Sequence, residues 1–285
     1  RADLRHGPHR LPPLQLVMPS LSNLWTQLQA PVVIEGVWEV LAASLLALVV
    51  IGLSRVRTLE LETELAGAFV RGFVQIVGMG LLIGALLTLP IGWSVVILLG
   101  MMAGATWISR QRGEGLPQVT RVSFAAIAIG AGSVIVLMTA AGAIEPTVRS
   151  LVPVGSLVIA NAMKINGLAL DRFREEVTSK RDEIEVGLSL GGPPAAVLAD
   201  RVRTSVRASL IPVVDSLKSL GWVWIPGIMA GMILAGENPV YASLYQFVIM
   251  AMIFASGGLT SMLSTLLLRR AVMTDAEQLR RIETS

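Results

Sequence analysis

The sequence contains no cysteine, only two histidines and few charged residues. Without cysteine the chain can form neither disulfides nor thiolate metal sites, and it cannot attach a c-type haem. Charged residues make up 15% of its 285 residues, whereas they make up about 25% of the residues of an average soluble domain. This deficit leaves too little polar surface for a soluble domain of this size, so the chain needs an apolar surrounding.

The chain also lacks the residues that intramembrane and nucleotide-hydrolysing enzymes need. His6 and His9 both lie in the first ten residues, so a Ser–His pair inside the membrane would have no base. Asp215 is the only aspartate within a long apolar segment, whereas an aspartyl protease needs two. The sequence has neither an HExxH motif nor a GxxxxGK[ST] phosphate-binding loop. We therefore expect that the chain is not an enzyme and has no cofactor of its own.

Long apolar segments are what the sequence has in abundance. A membrane-spanning helix needs about 20 apolar residues, and the chain has several segments of this kind. The predicted spans lie near 33–54, 65–88, 91–109, 122–144, 149–170, 208–236 and 241–268. The sequence thus predicts an all-α polytopic membrane protein with about seven transmembrane helices.

Basic residues are concentrated in alternate loops between these spans. Segments 55–64, 110–121 and 171–207, with the tail from 269, hold 16 of the 23 Lys and Arg residues. By the positive-inside rule these segments are cytoplasmic. The expected location is the plasma (inner) membrane, with the N-terminus outside and the C-terminus in the cytoplasm. Only the three arginines near the N-terminus argue for the other orientation.

This topology divides the chain into three parts. We predict a polar N-terminal tail over residues 1–32, a transmembrane domain over 33–268 and a cytoplasmic tail over 269–285. Because the basic residues are explained by the loops, the net charge of +3 does not indicate a nucleic-acid partner.

The cytoplasmic segment 171–207 has the pattern of two short helices joined by a corner. Gly191 and Gly192 permit a tight turn, and Pro194 suits the first position of a following helix. Apolar residues occur on both helices, which predicts a surface that another element covers. They are Ile184, Leu188, Leu190, Val197, Leu198 and Val202. The simpler interpretation is a solvated loop with ordinary charge pairing.

Two opposite charges lie inside the predicted sixth span. Asp215 and Lys218 are spaced i,i+3, so they share one helix face and can neutralise each other. Ionisable residues at membrane depth are costly and indicate a functional site. The pair therefore either lines a transport path or forms a structural ion pair between helices. Pro212 and Pro226 are expected to interrupt the backbone hydrogen bonds of this span.

Other polar and sulfur-containing side chains occur at membrane depth. Arg71 and Gln75 share a face of the second span, and Arg71 can alternatively reach the headgroups. Lys164 near the end of the fifth span can do the same, and Asn161 can hydrogen-bond to a neighbouring helix.

Methionines accompany these groups. Met163 and Met229 could contribute soft sulfur ligands to a transport path, although methionines in a membrane helix more often serve packing.

Four sequence blocks together resemble one group of membrane permeases. They are VRGFVQ (70–75), IANAMKINGLALDRF (159–173), LSLGGPP (188–194) and VRASLIPVVDSLKSLGWVWIPGIMAGMILAG (206–236). These blocks resemble the FetB-like iron-export permeases, to which the plant aluminium-sensitivity permeases are related. The resemblance implies the permease subunit of an ABC transporter that exports iron or another metal.

The same resemblance implies partners and a coupling site. ATP and Mg would be bound by a separate cytoplasmic ABC ATPase subunit, and the permease would act as a homodimer in the bilayer. The residues matching a coupling loop are Glu185, Leu188, Leu190, Gly191, Gly192 and Pro194. The transport path would include Arg71, Gln75, Asn161, Met163, Asp215, Lys218 and Met229. The alternative is a gradient-driven secondary transporter or a channel for a small ion or metabolite.

Overall fold

The computed structural model describes residues 31–56, 62–86, 89–280 and 282. The predicted N-terminal tail lies outside these residues, except for its last two positions. The chain separates into two compact units, one ending at Leu89 and the other beginning at Pro90. The described residues form helices and isolated β-bridges but no strand, as an all-α protein requires.

The described part of the first unit forms α1 (Pro31–Val56) and α2 (Glu62–Leu86), which contact each other. The described part of α1 exposes large apolar side chains along its length, including Leu45, Leu46 and Val56. A helix that is apolar on its exposed surface suits a lipid environment.

The second unit contains the remaining helices. They are α3 (Gly92–Ser109), a 3-10 turn (Arg110–Gly113), α4 (Val119–Ala140), α5 (Val148–Ser179), α6 (Arg181–Ser189), α7 (Pro194–Val197), α8 (Ala199–Ser219), α9 (Gly227–Leu234) and α10 (Pro239–Ala271). Helices α5 and α10 are the longest, with 32 and 33 residues. At 1.5 Å per residue each is about 50 Å long, so each extends beyond a hydrocarbon core of about 30 Å.

Small residues allow the helices of this unit to pack closely. Gly130 of α4 lies against Thr260 of α10, and a Cβ at Gly130 would come within 2.8 Å of the Thr260 backbone nitrogen. Gly155 of α5 similarly faces Leu98 of α3, whose Cδ2 would lie 2.7 Å from an added Cβ. Small residues at helix interfaces are the usual means of close packing in membranes.

Helices α5 and α10 run in the same direction. The first halves of both helices contribute to one apolar cluster, in which Val154 and Met252 are buried. The end at which both finish belongs to a second cluster, which includes Phe173 of α5 and Leu268 of α10.

The second cluster also joins segments that are distant in the sequence. Leu116, from the loop after α3, is buried there with Ile184 of α6 and Leu198 at the start of α8. Leu279 and Ile282, which follow α10, complete it. Leu279 and Ile282 are therefore folded against α6, and an isolated bridge between Met273 and Leu279 turns the backbone back.

Five helices are long and apolar enough to cross a membrane. They are Gly36–Val56, Gly92–Gly113, Val119–Ala140, Val148–Ser179 and Pro239–Ala271, found among the residues that the structure describes. The second and sixth predicted spans are not among them. Residues 81–88 of the second span lie outside the residues whose side chains the structure describes, and the sixth span is not one continuous helix.

The break in the sixth predicted span occurs where the backbone leaves the helical conformation. Helix α8 ends at Ser219, Gly221 has a φ of +74°, and α9 begins only after Pro226. Proline and a positive-φ glycine both prevent the helix from continuing. The predicted interruption at Pro226 is confirmed. Helix α8 continues through Pro212, whose nitrogen cannot donate to the Ala208 carbonyl, so one hydrogen bond is lost there without ending the helix.

Candidate transport cavity

A cavity of about 470 Å³ lies in the second unit, where the break between α8 and α9 faces α5 and α10. Its lining residues are Leu157, Asn161, Lys164, Val213, Ser216, Trp224, Pro226, Gly227, Ile228, Gln246, Met250 and Ile253. The volume falls within the range of about 300–1,000 Å³ that is usual for small-molecule sites. A few polar groups on a mostly apolar wall are likewise typical of such sites.

The chain break shapes one wall of this cavity. The carbonyl of Trp224 accepts a hydrogen bond from the Gly221 N–H at 2.9 Å, and the Trp224 N–H donates to the Ser219 carbonyl at 3.2 Å. These bonds close a tight loop after α8. Trp224 and the start of α9 thereby line the cavity.

Helix α5 supplies two of the polar side chains. Asn161 and Lys164 are three residues apart and lie on the same face, as helix periodicity requires. The Asn161 Nδ2 donates to the Leu157 carbonyl at 2.8 Å, which directs its amide along the helix. Lys164 is more exposed than Asn161, and it forms no ion pair with the described residues.

Helix α10 supplies a buried amide. Gln246 is only 4% exposed, and its Oε1 accepts no hydrogen bond from the described residues. A buried polar atom without a partner costs about 1–3 kcal/mol. Because Gln246 is among the residues that line the cavity, a small rotation of its side chain would let a ligand or water in the cavity supply the missing bond.

The N-terminus of α9 contributes backbone donors. The first helical hydrogen bond is from the Ala230 N–H to the Pro226 carbonyl, at 3.1 Å. The N–H groups before it have no partner within the helix, and Pro226 at the N-cap has no side-chain acceptor. Because Pro226, Gly227 and Ile228 line the cavity, these N–H groups lie at its wall.

A second cavity of about 380 Å³ adjoins Lys164 from another side. It is lined by Ile108, Ser109, Arg112, Met163, Lys164, Gly167 and Leu168. The Asn166 Nδ2 donates to Ser109 Oγ at 3.1 Å in the same region. Lys164 is the residue that the two cavities share.

The predicted path residues are thus distributed over several places. Asn161 lines the first cavity and Met163 the second. Met229 lies on α9, where its sulfur accepts a hydrogen bond from Ser243 Oγ at 3.5 Å. Asp215 and Lys218 line neither cavity, and their side chains are exposed on α8. Arg71 and Gln75 are exposed on α2, in the other unit.

Three polar or aromatic residues of the cavity were not identified from the sequence. Ser216 and Trp224 occur in the predicted sixth span and Gln246 in the seventh, and the break after α8 brings them together. Lys164 is one of the candidates at membrane depth that the sequence indicates, with reaching the headgroups as its simpler interpretation. A lone glutamine in an otherwise apolar stretch is the signal that could have identified Gln246.

The coupling-loop residues lie at the other end of the second unit. Gly191 has a φ of +83°, which glycine adopts without strain. An added Cβ at Gly192 would lie 2.7 Å from the Gly187 carbonyl oxygen and 2.9 Å from Val197 Cγ2. The corner between α6 and α7 therefore requires glycine at both positions, for different reasons.

Ion pairs hold this corner to its neighbours. Arg201 of α8 is mostly buried and lies 2.6 Å from Glu183 of α6 and 3.9 Å from Glu176 of α5. Glu185 is paired within α6 to Arg181 at 2.7 Å. Arg201 thus connects three helices beside the corner.

The apolar faces of the corner are only partly available to another molecule. Ile184 and Leu198 are fully buried, and the chain's own residues Leu279 and Ile282 belong to the cluster around them. Leu190, by contrast, is 82% exposed. A groove of about 540 Å³ between the corner and the C-terminal segment is lined by Glu185, Leu188, Ser189, Gly191, Gly192, Ala276, Glu277, Gln278 and Leu279.

Acidic and histidine side chains do not gather into a metal-binding cluster within the described residues. Neither of the two cavities that share Lys164 has an Asp, Glu or His among its described lining.

The long apolar helices define a polytopic integral membrane protein. Residues 37–273 match the profile described as "Uncharacterised protein family (UPF0014)", and the chain belongs to this family. The resemblance seen in the sequence blocks is thereby confirmed.

Individual relatives cover most of the chain. It is 30% identical over 264 residues to "UPF0014 membrane protein STAR2" of Oryza sativa subsp. japonica, which covers 92% of this chain and 91% of that protein. It is 30% identical over 238 residues to "Probable iron export permease protein FetB" of Escherichia coli (strain K12), covering 83% and 92%. It is 28% identical over 249 residues to "Protein ALUMINUM SENSITIVE 3" of Arabidopsis thaliana, covering 87% and 91%. No solved structure matches the chain significantly.

Proposed function

We propose that the chain is the permease subunit of an ABC transporter that exports iron or another metal. The observation that carries this proposal is its membership of a family with a relative named as an iron export permease. A cavity between membrane helices and an exposed corner at one end of the same bundle are the two sites that such a subunit needs.

The proposed topology has seven spans, the N-terminus outside and the C-terminus in the cytoplasm of a plasma (inner) membrane. Helix α2 and the broken pair α8–α9 would add two spans to the five continuous ones. The loop after α3, the α6–α7 corner and the C-terminal segment meet in one cluster. Their common location supports the orientation, because the positive-inside rule assigns all three to the cytoplasm.

The α6–α7 corner is the proposed docking site for a cytoplasmic ABC ATPase. Leu190 projects from it, while Gly191, Gly192 and Pro194 set its shape and Glu185 and Leu188 line the adjacent groove. The partner would bind ATP and Mg and hydrolyse the nucleotide, so that this chain itself is not an enzyme. A homodimer of permeases would then present two corners to two ATPase subunits.

Reconstitution with an ABC ATPase tests this assignment. We expect ATP-dependent movement of iron in proteoliposomes, together with ATPase activity that rises when iron is added. Replacing Leu190 with glutamate should abolish both by placing a charge in the contact. Ser179→Glu is the matched control, because it adds the same charge at an exposed position just before α6.

The rival function is a gradient-driven secondary transporter or a channel. It would be established if the chain alone moved its substrate down or against an ion gradient, without any ATPase and with Leu190→Glu fully active.

A further inference from the structure

The chemistry of the cavity between α5, α8, α9 and α10 bears on the form in which a metal could enter it. A bare di- or trivalent iron cation requires oxygen, nitrogen or sulfur ligands, with carboxylates and imidazoles as the usual ones. The described lining of this cavity has no Asp, Glu or His. Its one charged side chain is the ammonium group of Lys164, which repels a cation.

A further feature of the cavity also favours an anion. The unpartnered N–H groups at the start of α9 lie at its wall and carry the positive end of that helix dipole. Helix N-termini of this kind bind phosphate and carboxylate groups. Lys164 and the α9 N-terminus belong to different helices, so the positive potential comes from two independent sources.

The amides of the cavity add a requirement for hydrogen-bond donors on the ligand. The buried Oε1 of Gln246 accepts no hydrogen bond from the described residues. Asn161 uses its Nδ2 for the Leu157 carbonyl, which leaves its oxygen as the group to face a ligand. A species that is negatively charged and also carries hydroxyl or water ligands would satisfy Lys164 and these amides together.

The neighbouring cavity also has positively charged side chains in its lining. It shares Lys164 and adds Arg112, again without Asp, Glu or His in its described lining. A cation passing along both cavities would meet two positive side chains, whereas an anion would be attracted by each in turn.

We propose that the metal enters this cavity as an anionic complex with hydroxylated oxygen ligands, of which ferric citrate is a model, and not as the bare cation. This inference rests on the proposed transport function. Lys164 and the α9 N-terminus would bind the carboxylate oxygens, and Gln246 would accept a hydrogen bond from a hydroxyl or water ligand. The volume of about 470 Å³ suits a small complex better than a single ion.

Transport in proteoliposomes containing the permease and its ATPase tests the proposal. Labelled iron is supplied either as ferric citrate or as ferrous ion without a chelator. We expect ferric citrate to be moved with the lower KM. Replacing Lys164 with glutamine should raise the KM for ferric citrate about tenfold, since a charged hydrogen bond is lost. Lys164→Arg should retain most of the affinity.

Arg149→Gln is the matched control, because it removes one positive charge from an exposed position at the start of the same helix. Ferric citrate binding is also measured in phospholipid-free detergent. Binding that depends on Lys164 there supports a ligand in the cavity. Loss of the Lys164 effect without phospholipid would overturn the proposal and assign the residue to a lipid headgroup.

The remaining outcomes distinguish failure of the anionic complex from failure of the transport function itself. Equal or better transport of ferrous ion, unaffected by Lys164→Gln, would overturn the anionic complex and leave metal export intact. Transport of citrate in the absence of iron would overturn the anionic metal complex as well as the metal cargo. If iron moves in neither form with ATP, the transport function itself fails, and the inference with it.

Discussion

Asp215 Oδ1 and Lys218 Nζ lie 3.6 Å apart on α8, with side chains that are 63% and 72% exposed. The two charges therefore face each other across one turn of the helix and point away from both cavities that share Lys164. Ser216, between them in the sequence, is the residue of this turn that lines a cavity. The pair occupies the outer surface of the second unit, where a second subunit or lipid can contact it.

Neutralising one member of this pair should be more harmful than neutralising both. In Asp215→Asn, Lys218 loses the partner that offsets its charge at membrane depth, where an isolated charge costs about 2.5–3.5 kcal/mol on insertion scales. We expect less folded protein in the membrane and reduced transport. Adding Lys218→Gln should restore the folded yield, as measured by fluorescence-detected gel filtration.

Transport by the double variant then separates the two interpretations of the pair. Normal transport would assign it a structural role. A folded double variant that does not transport would show that the charges act in the transport path or at a subunit contact.

The corner between α6 and α7 offers a sharper test of coupling. In Gly192→Ala the new methyl group would meet the Gly187 carbonyl oxygen, a backbone atom that cannot move aside alone. We expect the corner to open and the iron-stimulated ATPase activity of the reconstituted complex to fall at least several-fold. The transmembrane helices should remain folded, because the corner lies at their end.

Gly100→Ala in α3 is the control for this change, since nothing lies within 4 Å of an added Cβ there. It should leave both ATPase stimulation and thermal stability unaltered. Undiminished stimulation in Gly192→Ala would contradict the docking role of the corner.

The contact between Gly130 and Thr260 should be important for stability. A methyl group at Gly130 would clash with the Thr260 hydroxyl and lie 2.8 Å from its backbone nitrogen. Overpacking of this kind typically costs about 1–3 kcal/mol. We therefore expect Gly130→Ala to lower the thermal unfolding temperature in detergent by several degrees.

Gly258→Ala is the matched control on α10, where an added Cβ meets nothing within 4 Å. Gly257→Ala is an informative intermediate, because its closest neighbour is the flexible end of Ile165. Equal stabilities of Gly130→Ala and Gly258→Ala would contradict the close helix contact.

Local chemistry explains which parts of this structure could be predicted from the sequence. The α6–α7 corner was predictable because two glycines followed by prolines allow few backbone conformations. Apolar length identified the five continuous spans. The i,i+3 spacing correctly placed Asp215 and Lys218 on one face of α8, but periodicity within one helix does not indicate what that face contacts.

The cavity depends on contacts between separate helices, which the residue periodicity of a single helix does not indicate. Gln246 becomes part of it only because the chain leaves the helix after Ser219 and returns as α9 near α10. The position of the C-terminal segment was likewise not predictable from its sequence pattern. Residues 272–282 have no helical or strand pattern, yet Leu279 and Ile282 are buried against elements almost one hundred residues earlier.

This C-terminal contact yields the last prediction. Leu279 is 9% exposed and lies in the cluster that contains Ile184 of α6 and Leu198 of α8. The adjacent Arg280 carbonyl accepts a hydrogen bond from Arg181 Nη1 at 3.5 Å. Leu279→Ala should therefore loosen α6 locally, at a cost of about 2–5 kcal/mol, which is usual for a buried leucine.

Hydrogen exchange of the α6 amides measures this effect directly. We expect faster exchange in residues 181–189 of Leu279→Ala and unchanged exchange in α3, which contributes no residue to the cluster around Leu279. Asp275→Ala, an exposed change in the same segment, is the control. If α6 exchanges equally slowly in both variants, the C-terminal segment does not hold the corner. If ATPase stimulation falls together with the protection of α6, the segment holds the docking surface in its active shape.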